Sequence, residues 1–536
     1  MSFFPKCVFS RCASALLMLL WMTAAHASTP SDQLIIAFKM NNILSLDPAA
    51  ATGNDIAFVN ANLYDMLIEL DPEDPTVILP AIASDWEIAD DDMSIRFTLR
   101  DDIDFHSGNP LTAEDVVWSL ERVMELNLAL ATTWKALGYS RENMSQLVSM
   151  PDSHEVVIEF PRKLDPSLVL YTLATSPSAF VLDKELVLSH ERDGDLGNQW
   201  LTTNAAGSGA FVLQQWIPQD RIVMTRNEAY WGEVPELSRV AMRNLKESQT
   251  MRLMIERGDL DVAIGMSVPD IRALESAEGV DLQTTQRGTL YYVAVSMQNE
   301  ILADQDVRRA IRGTINYEGI NDSIMSYYGE FHQRPVKLGL PATLPEPMYS
   351  LSNEQARSLL ARAGYENGFT TTIRALNESP FINVAINLQS SLQRIGINAE
   401  IITGTGNQIY GAMRDRRFDI LVGRGGGGMA PHPDSNLTPL LFNPDNDDAA
   451  RLTNFQGWRT GYQNQRINEL ILQAVAEADS DVQKRLYGEI QSLYEEDVGA
   501  LFPFSQMVNT VAVREEVEGY RDDPAAMTRL RSITKR

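Results

Sequence analysis

The sequence predicts a mixed α/β protein, and three stretches of the chain support this prediction. Residues 94–99 alternate polar and apolar side chains, as a strand with one buried face does. Thr112 precedes a helical pattern, and Asp115 stands three residues later, which is the spacing of a capping box. Residues 352–403 combine helical and alternating patterns. A chain of 536 residues is long enough for several such units.

The middle of the chain adds a hairpin and a further helix–strand pair. Residues 210–225 contain two strand-like stretches around a turn with Pro218. Residues 249–257 then have helical spacing, and residues 261–265 form a short apolar strand. These elements extend the alternation of strands and helices along the chain.

The α/β unit near residue 352 begins with a second capping-box pattern, formed by Ser352 and Gln355. Gly364 is the expected end of this helix, because glycine tolerates the left-handed backbone conformation there. Two strands, at residues 370–376 and 397–401, flank a second helix. Strand, helix and strand in this order predict a crossover in a parallel or mixed sheet.

Composition excludes some classes of function. The chain has 45 basic and 72 acidic residues, so its formal net charge is −27. Such a chain is repelled by phosphate backbones and by anionic membrane surfaces, and neither nucleic-acid binding nor membrane binding is expected. Hydrophobic residues make up 44% of the chain, which is typical of a globular protein.

The N-terminus predicts export. Lys6 and Arg11 precede an apolar stretch at residues 13–23, and small residues follow up to Ala27. This pattern is typical of a signal peptide at residues 1–27, cleaved after Ala27, and the protein is then expected in the periplasm. The alternative is an uncleaved membrane anchor. No later apolar stretch is long enough to span a bilayer, so no direct membrane insertion is expected after cleavage.

Catalytic and metal-binding motifs are absent from the sequence. The only cysteines, Cys7 and Cys12, lie in the predicted signal peptide, so the mature chain has no thiol chemistry. The sequence contains neither a phosphate-binding P-loop nor the zinc-binding H-E-x-x-H or nucleophilic G-x-S-x-G motif. We therefore predict no catalytic residue, no metal site, no cofactor and no enzyme. A secreted hydrolase remains the alternative, because glycosidase carboxylates carry no local motif.

Two features of the C-terminal half are candidates for ligand binding. Arg424 precedes four glycines, residues 425–428. Such a run is typical either of close approach between backbone and ligand or of a flexible surface loop. Trp458 has small and polar neighbours, and it is expected either to line a pocket or to pack in the core.

Five segments, in the same order along the chain, resemble the extracytoplasmic solute-binding proteins of the peptide/nickel class (family 5). These proteins are the receptor components of ABC importers. The resemblance covers nearly all of the predicted mature chain. The matching segments are residues 104–122, 207–232, 293–316, 359–369 and 393–400.

The resemblance implies a two-lobed periplasmic-binding-protein fold, type II-like, of the large class with an extra subdomain and a hinge between the lobes. The ligand is then enclosed between the lobes, and the hinges are expected near residues 288–294 and 503–510. The implied domains are lobe I at residues 28–62, 201–290 and 507–536, the extra subdomain at residues 63–200, and lobe II at residues 291–506.

The resemblance further implies a receptor that delivers a peptide or peptide-like solute to the permease subunits of an ABC transporter. Peptide-binding members commonly carry an aspartate in the glycine-rich loop, but here Arg424, Gly425 and Gly426 stand there and only Asp434 offers a carboxylate nearby. Arg424 favours an anionic or neutral ligand end, unless it pairs with Asp419 or Asp434. A metal chelate, opine, sugar or haem is therefore the alternative ligand. Arg424, Gly425, Gly426, Asp434 and Trp458 are the predicted ligand contacts.

Overall fold

A computed structural model describes residues 29–41, 43–50 and 52–536. The predicted signal peptide at residues 1–27 lies outside the described residues. The described part is mixed α/β, as the sequence predicts.

The largest sheet in the described residues has 11 strands, and two long strands form its middle. These central strands, Val280–Val295 and Leu501–Arg514, pair antiparallel. From Leu501–Arg514 one wing of the sheet runs outward through Val262–Ile264, Gln33–Phe38, Arg239–Asn244, Arg221–Arg226 and Phe211–Ile217. From Val280–Val295 the other wing runs through Ile420–Gly425, Phe369–Leu376 and Ile397–Gly404, and the short strand Gly329–Phe331 adds to Leu501–Arg514.

A separate four-stranded sheet lies in the region between residues 63 and 200. Its order is Ala83–Ile88, Ser94–Leu99, Glu155–Glu159 and Val148–Asp152. The alternation at residues 94–99 is confirmed, because Ile95, Phe97 and Leu99 are buried while the intervening side chains are not. Two-stranded pairs are formed by Ile68–Leu70 with Ile78–Pro80 and by Val517–Glu518 with Thr534–Lys535.

Helices cover the sheets. The helices that precede the first central strand are Asn54–Leu63, Ala113–Leu126, Ala131–Ala136, Arg141–Leu147, Pro166–Thr175, Lys184–Ser189, Asn198–Leu201, Ser248–Arg257 and Val268–Leu274. Those that follow are Glu300–Ala303, Gln305–Thr314, Tyr317–Ser323, Asn353–Arg362, Phe381–Arg394, Gly406–Arg414, Asp434–Leu441, Gln456–Thr460, Gln465–Ala474 and Ser480–Glu496.

The local signals at the helix ends are confirmed. The Asp115 carboxylate accepts from the Thr112 amide at 3.0 Å, which completes the capping box of Ala113–Leu126. The pair Ser352 and Gln355 caps the helix Asn353–Arg362 in the same way. The strands Phe369–Leu376 and Ile397–Gly404 pair parallel, so the predicted crossover is also present.

The domain ranges taken from the resemblance stay a prediction, and we keep lobe I, lobe II and extra subdomain as names for them. A buried ion pair connects the extra subdomain to lobe I, because Arg122 Nη2 lies 2.6 Å from Asp47 Oδ2 and both side chains are at most 1% exposed. Asp165 connects it to lobe II, since Gln483 Nε2 donates to Asp165 Oδ2 at 2.8 Å. The extra subdomain therefore contacts both lobes.

Candidate ligand-binding cleft

A cavity of about 790 Å³ lies beside the central strands of the large sheet. Its wall combines lobe I, both central strands, the C-terminal segment and lobe II. Residues that line it include Phe38, Asp55, Phe58, Arg287, Asn509, Tyr520, Asp522 and Arg424. A cavity of this size at the junction of two lobes is typical of a small-molecule site.

Four charged side chains line this cleft, and two of them form an ion pair. Arg287 Nη2 donates to both carboxylate oxygens of Asp522, at 2.9 and 2.7 Å. Asn509 Nδ2 adds a hydrogen bond of 2.9 Å to the same carboxylate. The two side chains are only 6% and 5% exposed, so the pair is part of the cleft floor. Asp55 and Arg424 are the other two charged groups.

Hydrogen bonds to its backbone amide and carbonyl hold Arg424 in place. It belongs to the strand Ile420–Gly425, its amide donates to the Tyr410 hydroxyl at 3.0 Å, and its carbonyl accepts from the Tyr292 hydroxyl at 3.3 Å. The guanidinium carbon lies 5.8 Å from the centre of the Phe381 ring, and Nη1 lies 3.9 Å from Met507 Sδ. Within the described part of the chain, Arg424 forms no ion pair. Arg424 is exposed and lines the cleft.

The two carboxylates considered as partners of Arg424 have other contacts. Asp419 Oδ2 accepts from the Thr372 amide at 3.1 Å and from the Thr372 hydroxyl at 2.8 Å. Asp434 accepts from the Thr438 hydroxyl, and burial raises its pKa. The salt bridge that the sequence left open as an alternative for Arg424 is thus not formed.

Asp55 lines the cleft from lobe I, and no sequence pattern indicated this position. It is the second residue of the helix Asn54–Leu63, in which every residue from Ile56 onward is buried. Asp55 itself is half-buried and, among the described residues, has no hydrogen bond or ion pair. Burial raises its pKa to about 6. In a chain with 72 acidic residues, one carboxylate at a helix start carries no motif that would single it out.

A second cavity of about 410 Å³ adjoins the cleft, because Gly53 and Asn54 line both. Its wall is mostly apolar and is shared between the extra subdomain and lobe II. Leu137 and Leu168 line it from one side, and Asp434 lines it from the other. We call this cavity the side chamber; among the predicted contacts, the structure places Asp434 here rather than in the cleft.

The glycines after Arg424 pack against the protein's own backbone and side chains. A Cβ atom on Gly426 would lie 2.2 Å from Leu440 Cδ2, and one on Gly427 would lie 2.4 Å from Thr289 Cα. A larger residue at Gly427 would push the loop away from the central strand, and one at Gly426 would push it away from the helix Asp434–Leu441. Gly425 and Gly426 are not among the residues that line the cleft, and their predicted ligand contact stays a prediction.

A buried lysine fixes the same loop. Lys337 Nζ donates to the carbonyl oxygens of Ala430 at 2.7 Å and Gly428 at 3.4 Å. Burial lowers the pKa of Lys337 to about 8. The carbonyl oxygens compensate part of the desolvation cost of the ammonium group, and the contact holds the loop against the segment that carries Lys337.

Trp458 is not brought to the cleft. It lies on the short helix Gln456–Thr460, is 3% exposed, and donates from Nε1 to the Asp447 carbonyl at 3.0 Å. The Arg416 guanidinium carbon lies 4.8 Å from the centre of its ring. Trp458 lines neither the cleft nor the side chamber, so its surroundings correspond to the core-packing alternative.

A polar contact joins lobe II to the extra subdomain. His432 Nδ1 accepts from the Asp434 amide at 3.1 Å, so the proton of a neutral His432 sits on Nε2. Nε2 faces Asp165 Oδ2 at 3.3 Å. Burial of Asp165 tends to raise its pKa. The hydrogen bonds from His432 and Gln483 outweigh this desolvation and hold the pKa of Asp165 below its ordinary value. Asp165, His432 and Gln483 are called the latch below.

In residues 29–536, without positions 42 and 51, no helix combines the length and the apolar content needed to cross a membrane. Over the same residues, no group of three histidine, cysteine or acidic side chains is placed to hold a metal ion.

Comparison with known proteins gives consistent results. Residues 77–448 match the model of the bacterial extracellular solute-binding proteins, family 5. The chain is 27% identical to the probable D,D-dipeptide-binding periplasmic protein DdpA of Escherichia coli (strain K12), over 93% of each chain. It is 23% identical to heme-binding protein A of Haemophilus influenzae, over 93% of this chain and 92% of the relative.

A solved structure has the same fold. The periplasmic binding protein DppA of Helicobacter pylori, in complex with the peptide STSA, superimposes with a TM-score of 0.79 at 22% identity. The superposition covers 94% of this chain and 98% of that protein. The structure thus confirms the two-lobed binding-protein fold that the sequence predicted. The family match extends over more than half of the chain, and the protein belongs to the bacterial extracellular solute-binding proteins of family 5.

Proposed function

We propose that this protein is a periplasmic receptor that encloses one peptide or peptide-like solute and delivers it to the permease subunits of an ABC importer. The observation that carries the proposal is the cleft of about 790 Å³ at the central strands, with an exposed guanidinium on one wall and a desolvated carboxylate on the other. Family membership supports it, and so do the ligands in the names of two similar proteins, a D,D-dipeptide and the peptide STSA.

Two features of the fold support closure around the ligand. The wings of the large sheet are joined by two strands, and their pairing is irregular between Gln286 and Leu290, next to the cleft. A small rotation about these strands would move the lobes relative to each other. The latch then contributes to the closed form, because His432 and Gln483 reach Asp165 only when lobe II meets the extra subdomain.

The receptor binds its solute without chemical change. The charged groups in the cleft can hold a ligand by charge and hydrogen bonding. Polar anchors in a largely preformed pocket are typical of binding sites. The ligand is therefore expected to leave with the same mass and configuration with which it entered.

Thermal unfolding with a panel of solutes tests this proposal. The panel contains L,L- and D,D-dialanine, a tetrapeptide, an opine, a nickel–histidine complex, a sugar and haem. A ligand that binds only the folded protein stabilises it by about 2.7 kcal/mol at a hundredfold excess over Kd, so a hit raises the melting temperature. Mass spectrometry of the recovered ligand then checks for turnover.

Solution scattering tests closure with the ligand found in the panel. We expect the radius of gyration to fall on saturation. The variant Asp165→Ala, which removes the latch acceptor, should bind more weakly, and a larger part of it should remain open. A panel without any hit, or a recovered ligand that has been hydrolysed, would contradict the receptor proposal.

A further inference from the structure

Among the described residues, one acid and one base of the cleft form no ion pair. Arg287 and Asp522 neutralise each other through two hydrogen bonds of 2.9 and 2.7 Å. Asp55 and Arg424 are the other two charged residues of the wall, and among the described residues neither forms an ion pair. Asp55 lies in lobe I and Arg424 in lobe II. The two unpaired charges thus come from different lobes.

We propose that the ligand is a zwitterion that bridges the two lobes, with its cationic group on the Asp55 carboxylate and its anionic group on the Arg424 guanidinium. This inference rests on the proposed receptor function and adds the charge type and the orientation of the solute to it. It assigns the cation-binding role to lobe I, since the glycine-rich loop of lobe II contains no acid.

Asp55 is suited to receive a cation because its carboxylate is poorly solvated. It is half-buried on a helix whose following residues are all buried, and the described residues supply it with no donor. A carboxylate that has lost water without gaining a hydrogen bond is destabilised. An ammonium group of the ligand would restore both the hydrogen bond and the opposite charge.

Arg424 is suited to receive a carboxylate because its guanidinium is planar and pre-positioned. Tyr410 and Tyr292 hydrogen-bond its backbone, and the side chain lies near Phe381 and Met507. A guanidinium binds a carboxylate through two parallel hydrogen bonds, which fixes orientation as well as charge.

The placement on two lobes couples charge recognition to closure. A zwitterion contacts Asp55 and Arg424 together only when the lobes are closed, so it binds the closed form more tightly than the open form. A solute with one charge gains the contact to one lobe only. Since a ligand shifts an equilibrium by its difference in affinity for the two states, zwitterions should close the protein most strongly.

The test uses dialanine, in its L,L and D,D forms, together with its N-acetyl and C-amide derivatives. Calorimetric titration of the wild type should show a loss of about ten- to a hundredfold on blocking either end, the range for one hydrogen bond to a charged group. Asp55→Asn should bind free dialanine more weakly by a similar factor, and N-acetylation of the ligand should not weaken its binding further. In Arg424→Gln, the same should hold for C-amidation.

Matched controls separate this inference from effects on folding. Asp281→Asn removes an exposed acid from a central strand outside the cleft, and Arg417→Gln removes an exposed guanidinium from lobe II. Both should bind dialanine and its derivatives as the wild type does. Asp55→Glu keeps the carboxylate and should keep the discrimination against N-acetyl dialanine. Circular dichroism and the melting temperature of each variant report on folding.

The outcomes distinguish the inference from the receptor function. Additive losses, in which Asp55→Asn still discriminates fully against the acetylated ligand, would overturn the assignment of Asp55. The corresponding result with Arg424→Gln would overturn that of Arg424. The inference would be overturned if the wild type does not bind zwitterions but binds a singly charged or neutral solute and closes around it. That result would still support the receptor function. A wild type that binds no member of either panel would remove both.

Discussion

Acidification from pH 7 to pH 5 should weaken the binding of dialanine about tenfold through Asp55. Burial raises the pKa of Asp55 to about 6, so the free protein carries mostly a carboxylate at pH 7 and mostly a carboxylic acid at pH 5. The ligand ammonium group favours the carboxylate, and the pKa of Asp55 is therefore lower in the complex. Proton linkage then gives up to about a tenfold loss per pH unit below the pKa of the free protein, and about tenfold between pH 7 and pH 5.

The other charged groups of the cleft are not expected to produce this slope. The ends of the dipeptide both remain largely charged between pH 5 and pH 7. The other charged groups that face the cleft are Arg287, Asp522 and Arg424, and the two guanidiniums keep their charge throughout. Asp434 lines the adjoining side chamber, and burial also raises its pKa. Asp434→Asn is therefore the control that keeps Asp55 and removes the second carboxyl.

The assay is calorimetric titration of dialanine at half-unit steps between pH 5 and pH 7.5. Wild type and Asp434→Asn should lose affinity below pH 6, whereas Asp55→Asn should bind weakly and almost independently of pH. The stability of the ligand-free protein should respond in the opposite direction. Between about pH 4 and pH 6 the folded state holds more of the Asp55 proton than the unfolded state, so this group favours folding as the pH falls.

A flat affinity profile in the wild type would refute the role of Asp55. An equal slope in Asp55→Asn would do so too, because another group would then carry the titration. Asp55→Asn should also leave the melting temperature of the free protein at pH 7 unchanged or raise it, since it removes a desolvated charge. A large decrease would mean that Asp55 stabilises the fold rather than the complex.

Three further predictions concern the surroundings of the cleft. Asp522→Asn should lower the free energy of unfolding by about 3–5 kcal/mol in urea titrations, because it leaves the Arg287 guanidinium buried without its counter-ion. The double variant Arg287→Met/Asp522→Leu should recover most of the lost stability. Ala136→Phe should fill the side chamber and weaken calorimetrically measured binding of dileucine more than that of dialanine; equal effects would mean that no ligand side chain enters the chamber. Trp458→Ala should cost about 3–5 kcal/mol of stability, as a large buried truncation does, and leave ligand affinity within twofold, so a selective loss of affinity would show that it contacts the ligand after all.

Local structure and family membership could be read from the sequence, because their determinants lie close together along the chain. The capping box of Thr112 and Asp115 spans one helical turn, and its geometry depends on little else. Gly364 follows the helix end with a φ of 86°, which a local pattern also predicts. Arg424 was found in the same way, since an arginine before four glycines stands out in any sequence.

The site as a whole depends on contacts between distant segments. Arg287 and Asp522 are 235 residues apart, and only the antiparallel pairing of the central strands and the return of the C-terminal segment bring them together. Without that ion pair the cleft would have four candidate charges instead of two. The positions of Asp55 and Trp458 also depend on the tertiary structure. Asp55 lines the cleft and Trp458 is buried because of the segments that pack around them in the fold. The periodicity of a single segment does not contain that information.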